Sequence, residues 1–172
     1  MVPWQIRDAG QPDAEDIARV HAHAWEAAYR GLLSDDVIRT HARKRRSWWA
    51  SYLSRLPENE HVLVAVGDGR IVGFASARPS PDEDTEADQA EVGGLYVEPD
   101  AWGRGIGGAL LETLLEQLRA DGFKSATLWV LAENSGARRF YERRGWALSG
   151  AERVHPDRGA SELPYRIKLG GS

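Results

Sequence analysis

Four glycines in six residues, Gly103-Arg104-Gly105-Ile106-Gly107-Gly108, stand directly before the most regular helical pattern of the 172-residue chain. Leu111, Leu114, Leu115 and Leu118 recur at i, i+3, i+4 and i+7, so the helix after the glycines has one apolar face, and Gly122 supplies its stop. The glycines permit a tight turn and let a ligand approach the backbone. The helix start then offers unpaired N–H groups and the positive end of the dipole, a natural seat for phosphate or pyrophosphate. Arg104 adds a forked cationic donor, and no acid stands in the first turn to compete. The bland alternative is a tight turn that holds nothing.

Gly103, Gly105 and Gly108 match the dinucleotide-binding pattern G-x-G-x-x-G literally, and Glu133 ends the next strand, where a ribose-binding acid would stand. Two features count against that reading. The pattern wants its first glycine immediately after a strand, whereas Glu98 to Trp102 intervene here. The chain also lacks successive βαβ units. A P-loop is excluded, because no Lys-Ser or Lys-Thr follows the glycines.

The rest of the chain supplies the context. Trp4 to Arg7 reads as a strand, and Asp13 opens a helix with Asp16 three residues on, striped by Ile17, Val20, Ala24 and Ala28. A second helical stretch runs from about Ser34 to Leu56, with a weak point at Thr40-His41, and Pro57 ends it. His61–Val66 and Ile71–Ala77 form a hairpin around Gly67-Asp68-Gly69-Arg70. Val92–Val97 is a strand interrupted by Gly93-Gly94, which predicts a bulge or close backbone approach. After the glycine helix come strand Ala126–Leu131, a helix from Asn134 to about Arg144, and strands at Trp146–Ala151 and Leu163–Leu169. The order β-α-α-β-β-β-α-β-α-β-β predicts an α/β fold: a mixed, mostly antiparallel central sheet with helices on both faces and a β-α-β core at the glycine loop. Residues 1–169 read as one domain and residues 170–172 as a frayed tail.

Composition narrows the function. The net charge of −4 argues against a nucleic-acid-coating or membrane-surface protein. Cysteine is absent, which excludes disulfides, thiolate metal sites and cysteine nucleophiles. The five histidines form no metal pattern. No apolar run is long enough to span a bilayer and the first ten residues lack a signal-peptide core, so a cytoplasmic address is expected.

Three stretches carry a family resemblance. Glu91-Val92-Gly93-Gly94-Leu95-Tyr96-Val97-Glu98-Pro99 resembles the central strand and Val-x-Pro turn of the GNAT superfamily of acyl-CoA-dependent N-acetyltransferases. Gly103 to Leu111 resembles its pyrophosphate loop and helix, and Asn134 to Trp146 is similar to its Asn-x-x-Ala-x-x-Phe-Tyr-x-x-x-Gly-Phe segment. Trp25-x-x-x-Tyr29-Arg30-Gly31-Leu32-Leu33 is also like many members. The resemblance implies acetyl-CoA as acyl donor without a metal. It implies that the backbone of Leu95, Tyr96 and Val97 pairs with the pantetheine arm, and that Gly103, Arg104, Gly105, Ile106, Gly107 and Gly108 hold the pyrophosphate. One departure is Trp102, at a position where the family usually has Gln or Arg as a phosphate donor.

Asn134 and Tyr141 are two helical turns apart and share a face with Ala137 and Arg138. With the resemblance, Asn134 and Ala137 border the pantetheine and Tyr141 is the acid that protonates the leaving thiolate; the plain alternative is a core tyrosine beside Phe140. Glu91, where the family often has a carboxylate, is the candidate base; alternatively it is one more acid in the run Asp82, Glu83, Asp84, Glu86, Asp88 and Glu91. That run reads as a solvated loop or a lure for a cationic amine, and Arg43-Lys44-Arg45-Arg46 as the wet face of a helix whose Trp48, Trp49, Tyr52 and Leu53 turn inward or toward substrate. Trp25 and Tyr29 are candidates for the acceptor pocket, with core packing as the alternative. The expected partner is a small-molecule, peptide or protein amine, and the resemblance makes a homodimer an expectation. The rival from another class is a non-catalytic acyl-CoA-binding module on the same fold.

Overall fold

The computed structural model describes residues 3–82, 86–155 and 159–170. Among the described residues eight strands form one sheet: β1 (Gln5–Asp8), β2 (His61–Gly67), β3 (Arg70–Pro79), β4 (Gln89–Val97), β5 (Ser125–Leu131), β6 (Ala147–Leu148), β7 (Arg153–Val154) and β8 (Ser161–Lys168). Their order is β1-β2-β3-β4-β5-β8-β6, with β7 also pairing β8. Only β4 and β5 run parallel; every other neighbour is antiparallel. Four α-helices accompany the sheet: α1 (Ala14–Tyr29), α2 (Asp35–Ser54), α3 (Ile106–Ala120) and α4 (Ser135–Glu142). The mixed, mostly antiparallel α/β architecture expected from the sequence is the one observed.

The apolar runs of β2 and β3 are buried on both faces; a period of two sorts the β2 side chains between two cores, and in β3 a bulge at Val72 shifts that period by one residue. Val62, Val64, Ile71 and Phe74 meet Ile17 and Val20 of α1 and Trp49 and Leu53 of α2. Leu63, Ala65, Val72 and Ala75 meet the opposite core, built on α3. There the leucine stripe is fully enclosed, with Leu110, Leu114 and Leu118 at 0% exposure. Each such side chain contributes about 1.5–3 kcal/mol by leaving water, so α3 is pinned and its N-terminus has a fixed position.

Several boundaries differ from expectation for local reasons. The weak point at Thr40-His41 does not break α2, which runs unbroken from a Ser34 cap whose Oγ accepts from the Val37 N–H at 3.3 Å. Asp13 does not cap α1 through its side chain. Its carboxylate instead accepts from the Gly10 N–H at 2.8 Å and from Arg7 at 2.8 and 3.0 Å, closing the turn before the helix. Helix α4 stops at Glu142, and Trp146 is a buried core side chain rather than a strand residue. Glu83 and Asp84 of the acidic run, and residues 171–172 of the expected tail, lie outside the described residues.

The feature that makes a site is a split in the sheet. Ser76 faces Gly94 while Ala77 faces Val92, so Gly93 is the extra residue of a bulge, as the glycine pair predicted. On its other edge β4 pairs with β5 only from Gln89 to Glu91, opposite Ser125 to Thr127. Beyond Glu91 the two parallel strands part, leaving the β5-facing edge of β4 without a strand partner.

Candidate active site

A cleft of about 170 Å³ fills the split. Its walls are the β4 segment from Val92 to Val97 and the β5 segment from Leu128 to Val130. Asn134, Ala137 and Tyr141 close it from α4, so the three residues expected on one helical face do meet the strand edge. Asn134 holds α4 in place as its cap, its Oδ1 accepting from the Ala137 N–H at 3.1 Å. Arg138, expected on the same face, turns away: its Nε donates to Tyr165 Oη at 3.1 Å and its Nη1 to the Ala132 carbonyl at 3.2 Å.

The glycines have separate tasks. Gly103 and Gly105 have φ of +78° and +82°, in the left-handed region that side chains disfavour, and Gly105 is the residue before the first turn of α3. Gly107 and Gly108 differ in the space around them, ordinary at Gly107 and tight at Gly108. A Cβ on Gly107 would stand 3.8 Å from Phe140 Cζ and Val97 Cγ2, and one on Gly108 would stand 2.7 Å from Arg144 Nη2. Ile106 is a core side chain at 3% exposure, so it offers the loop only its backbone. Arg104, part of the expected phosphate set, lines a small depression together with Arg70 and Asp100.

Trp102 resolves the departure in the motif. Its Nε1–H donates to the Val97 carbonyl at 2.8 Å, so the indole donor is committed to the end of β4 while the half-exposed ring lines the cleft. The turn below is tied to α1: buried Glu98 accepts from Arg19 and lies 3.2 Å from His23 Nδ1, while Arg19 Nη2 also reaches the Ile71 carbonyl at 3.1 Å.

Tyr141 packs edge-on to Phe140 and Trp146, with ring centroids 5.1 and 5.8 Å apart. Burial pushes its phenol well above the ordinary tyrosine range, with Tyr96 adding to the rise and Arg144 opposing it. The group therefore carries its proton throughout the neutral range, as a proton donor must.

A second, larger cavity of about 530 Å³ adjoins the cleft. The two share Tyr29, Val92, Gly93, Gly94, Tyr96 and Trp129, which form the passage between them. Glu91 lines this cavity, is 13% exposed, and accepts from Arg78 Nη2 at 3.3 Å; it is not a loose member of a solvated run. Tyr96 stacks on His21 at 4.7 Å, and His21 Nδ1 in turn accepts from Trp49 Nε1 at 3.1 Å. Tyr29 lines both cavities. Trp25 follows the core alternative: at 2% exposure it belongs to the core with Leu33, Ile38 and Leu131, stacked on His41 at 4.2 Å and packed against Tyr29. Sequence reasoning missed Trp129, Glu162 and Arg153. The signal for Trp129 was available: alternation along β5 puts Ala126, Leu128 and Val130 on one face and Thr127 and Trp129 on the other. No local pattern announces Arg153 or Glu162, which pair across β7 and β8 at 3.2 Å.

Among the described residues no group of three or more metal-ligating side chains comes together, and no helix is long and apolar enough to cross a membrane. The site is thus framed by a split sheet, with a glycine loop and the start of α3 following β4 in the chain. Residues 17–146 match the acetyltransferase (GNAT) family. An uncharacterised N-acetyltransferase of Archaeoglobus fulgidus is 36% identical over 138 residues, spanning 80% of this chain and 88% of that one. The mycothiol acetyltransferase of Brachybacterium faecium is 36% identical over 93 residues, spanning 54% of this chain and 28% of that longer protein. Among solved structures, the PaiA N-acetyltransferase of Thermoplasma acidophilum in complex with coenzyme A superposes with a TM-score of 0.82 at 21% identity, covering 96% of this chain and 99% of that one. The chain belongs to the GNAT family of acetyltransferases.

Proposed function

We propose that the protein moves the acetyl group of acetyl-CoA to a primary amine by direct attack, with both substrates bound at once. The observation that carries this reading is the passage at Gly93, Gly94, Tyr96 and Trp129, where the unpaired strand edge meets an aromatic cavity. In this reading the pantetheine arm lies along Leu95 to Val97 as an added strand. The pyrophosphate rests on the backbone N–H groups of Gly103 to Gly108, with Arg104 as the charged side chain of the loop and no donor from Trp102. The thioester then reaches the passage, and the amine approaches it from the larger cavity.

The chemistry assigns two residues. Glu91, directly or through one water, takes a proton from the amine as its nitrogen bonds to the thioester carbonyl carbon. A β4 backbone N–H polarises the carbonyl oxygen, where negative charge grows. As the tetrahedral species collapses, the carbon–sulfur bond breaks and Tyr141 gives its phenolic proton to the departing sulfur. The products are the acetamide and the free thiol of CoA, with Tyr141 and Glu91 restored by exchange with solvent. Tyr141 borders the cleft and Glu91 the larger cavity, so acid and base stand on opposite sides of the passage. Incubating the protein with acetyl-CoA and a panel of amines tests the reading. Thiol release that requires an amine and matches the amide formed supports it. Acetyl-CoA binding with no amine-dependent release identifies a non-catalytic acyl-CoA-binding module instead.

A further inference from the structure

The charged groups of the larger cavity are arranged in two layers. Glu91 and Glu162 are 13% and 3% exposed, while their partners Arg78 and Arg153 are 49% and 44% exposed. Carboxylates thus lie inward and guanidinium groups outward. The third carboxylate of the lining, Glu60, takes the hydrogen bond of Tyr52 Oη, and the third arginine, Arg45, sits 5.8 Å over the Trp48 ring. Among the described residues the lining holds three acids and three arginines, with no formal negative excess for a polycation to answer.

The layers also have a direction. Glu91 stands opposite Thr127, and Glu162 opposite Leu131, four residues further along β5. At about 3.3 Å per residue that is roughly 13 Å at the level of the strands. Trp129 lies between them, and Arg153 rests on its ring at 3.6 Å. Glu91 stands on one side of Trp129 by strand position, beside Val92 and Gly93, and Arg153, bonded to Glu162, on the other, at the end far from Glu91. Arg153 uses Nε toward Glu162, so its forked Nη pair forms the outer tip of the side chain.

Resting on the acetyl-transfer reading above, we infer that the acceptor is a dipolar amine: a primary amine separated by a flat or apolar body from an oxyanion, which Arg153 holds at the far end of the cavity. The amine enters first, toward the carboxylate of Glu91. The body lies against Tyr96 and the part of Trp129 that Arg153 leaves uncovered, where aromatic surface suits a flat group. The oxyanion is a carboxylate or a phosphate, both matched by a guanidinium fork. A diamine of the same length sets a cation against Arg153 and is rejected by like charge.

The experiment uses phenethylamines that differ only at the para position: carboxylate, phosphate ester, carboxamide and aminomethyl. The carboxylate or the phosphate ester, or both, should exceed the carboxamide in kcat/KM by about tenfold, and the aminomethyl compound should be the poorest. The two anionic arms decide between carboxylate and phosphate. In Arg153→Gln the ratio of anionic to carboxamide substrate should fall to near one, and in wild type it should shrink at high salt. A diamine as good as the anions, or an unchanged ratio in Arg153→Gln, overturns the inference while leaving acetyl transfer intact. If acetyl-CoA binds and no amine is acetylated, the acetyl-transfer reading fails. Calorimetry with the unreactive pair 4-ethylbenzoate and 4-ethylbenzamide, in the presence of CoA, still reads the site. Tighter benzoate binding that is lost in Arg153→Gln supports the oxyanion seat, and equal binding overturns it.

Discussion

Gly105 and Gly107 stand two residues apart in one glycine loop, and the structure gives them opposite responses to the same methyl group. At Gly105 φ is +82° and the nearest heavy atom to an added Cβ is Trp4 Cη2 at 4.0 Å, so Gly105→Ala meets no collision and the cost is backbone strain alone. An L-residue in the left-handed region costs about 1–2 kcal/mol. Unfolding entropy near 2.1 cal/mol/K per residue turns that cost into a Tm drop of about 3–6 °C for 172 residues. If the free loop relaxes instead, Tm holds and the strain is met when CoA binds, weakening affinity about 5- to 30-fold. The two losses share one total, so calorimetric melting of the free protein and calorimetric titration with CoA must together account for about 1–2 kcal/mol. Gly107→Ala has an ordinary 3.8 Å contact with Phe140 and Val97 and lies in the first turn of α3. It should raise Tm by about 1–3 °C, because alanine loses less backbone entropy on folding, and leave CoA affinity within about twofold. The account is refuted if Gly105→Ala changes neither quantity, or if Gly107→Ala is the more damaging of the two.

Three further outcomes follow from the site and its surroundings. Tyr141→Phe should bind acetyl-CoA like wild type and lower kcat roughly tenfold or more, as loss of a proton donor does; unchanged turnover across pH removes its acid role. Glu91→Gln should lower kcat at saturating amine and abolish the acidic limb of the pH–rate profile at high as well as low salt, whereas an effect that fades with salt marks mere attraction of the amine. Burial raises the Tyr141 phenol, and burial together with the bond to Glu60 raises that of Tyr52. A raised folded-state pKa gives stability that is complete below the unfolded value near 10 and is lost as pH rises beyond it. Urea midpoints should therefore fall steeply above pH 10, and Tyr52→Phe should flatten that fall.

Local patterns carried much of the architecture. The leucine stripe of α3, the hairpin of β2 and β3, and the bulge at Gly93 each follow from residue spacing or glycine placement within a few positions. Tyr141, Asn134 and Ala137 share a helical face, and they do meet at the cleft. What the sequence concealed depends on long-range placement. Trp102 looks like a missing phosphate donor until the Val97 carbonyl is seen to accept its N–H. Trp25 and Tyr29 sit four residues apart on one helix, yet only Tyr29 reaches a cavity, because Leu33, Ile38 and Leu131 enclose Trp25. Arg153 and Glu162 meet only because β7 folds back on β8, which no periodicity within either strand discloses.

The central claim is that the split between β4 and β5 seats the acyl donor with its thioester at the passage to the aromatic cavity. A crystal structure of the protein with a non-hydrolysable acetyl-CoA analogue tests it directly. The account expects pantetheine amides hydrogen-bonded to the backbone between Leu95 and Val97, pyrophosphate oxygens on the N–H groups of Gly103 to Gly108, and the atom replacing sulfur about 3–3.5 Å from Tyr141 Oη. An analogue bound outside the split, or one whose acyl end lies away from Tyr141 and the Gly93-Gly94 bulge, contradicts it.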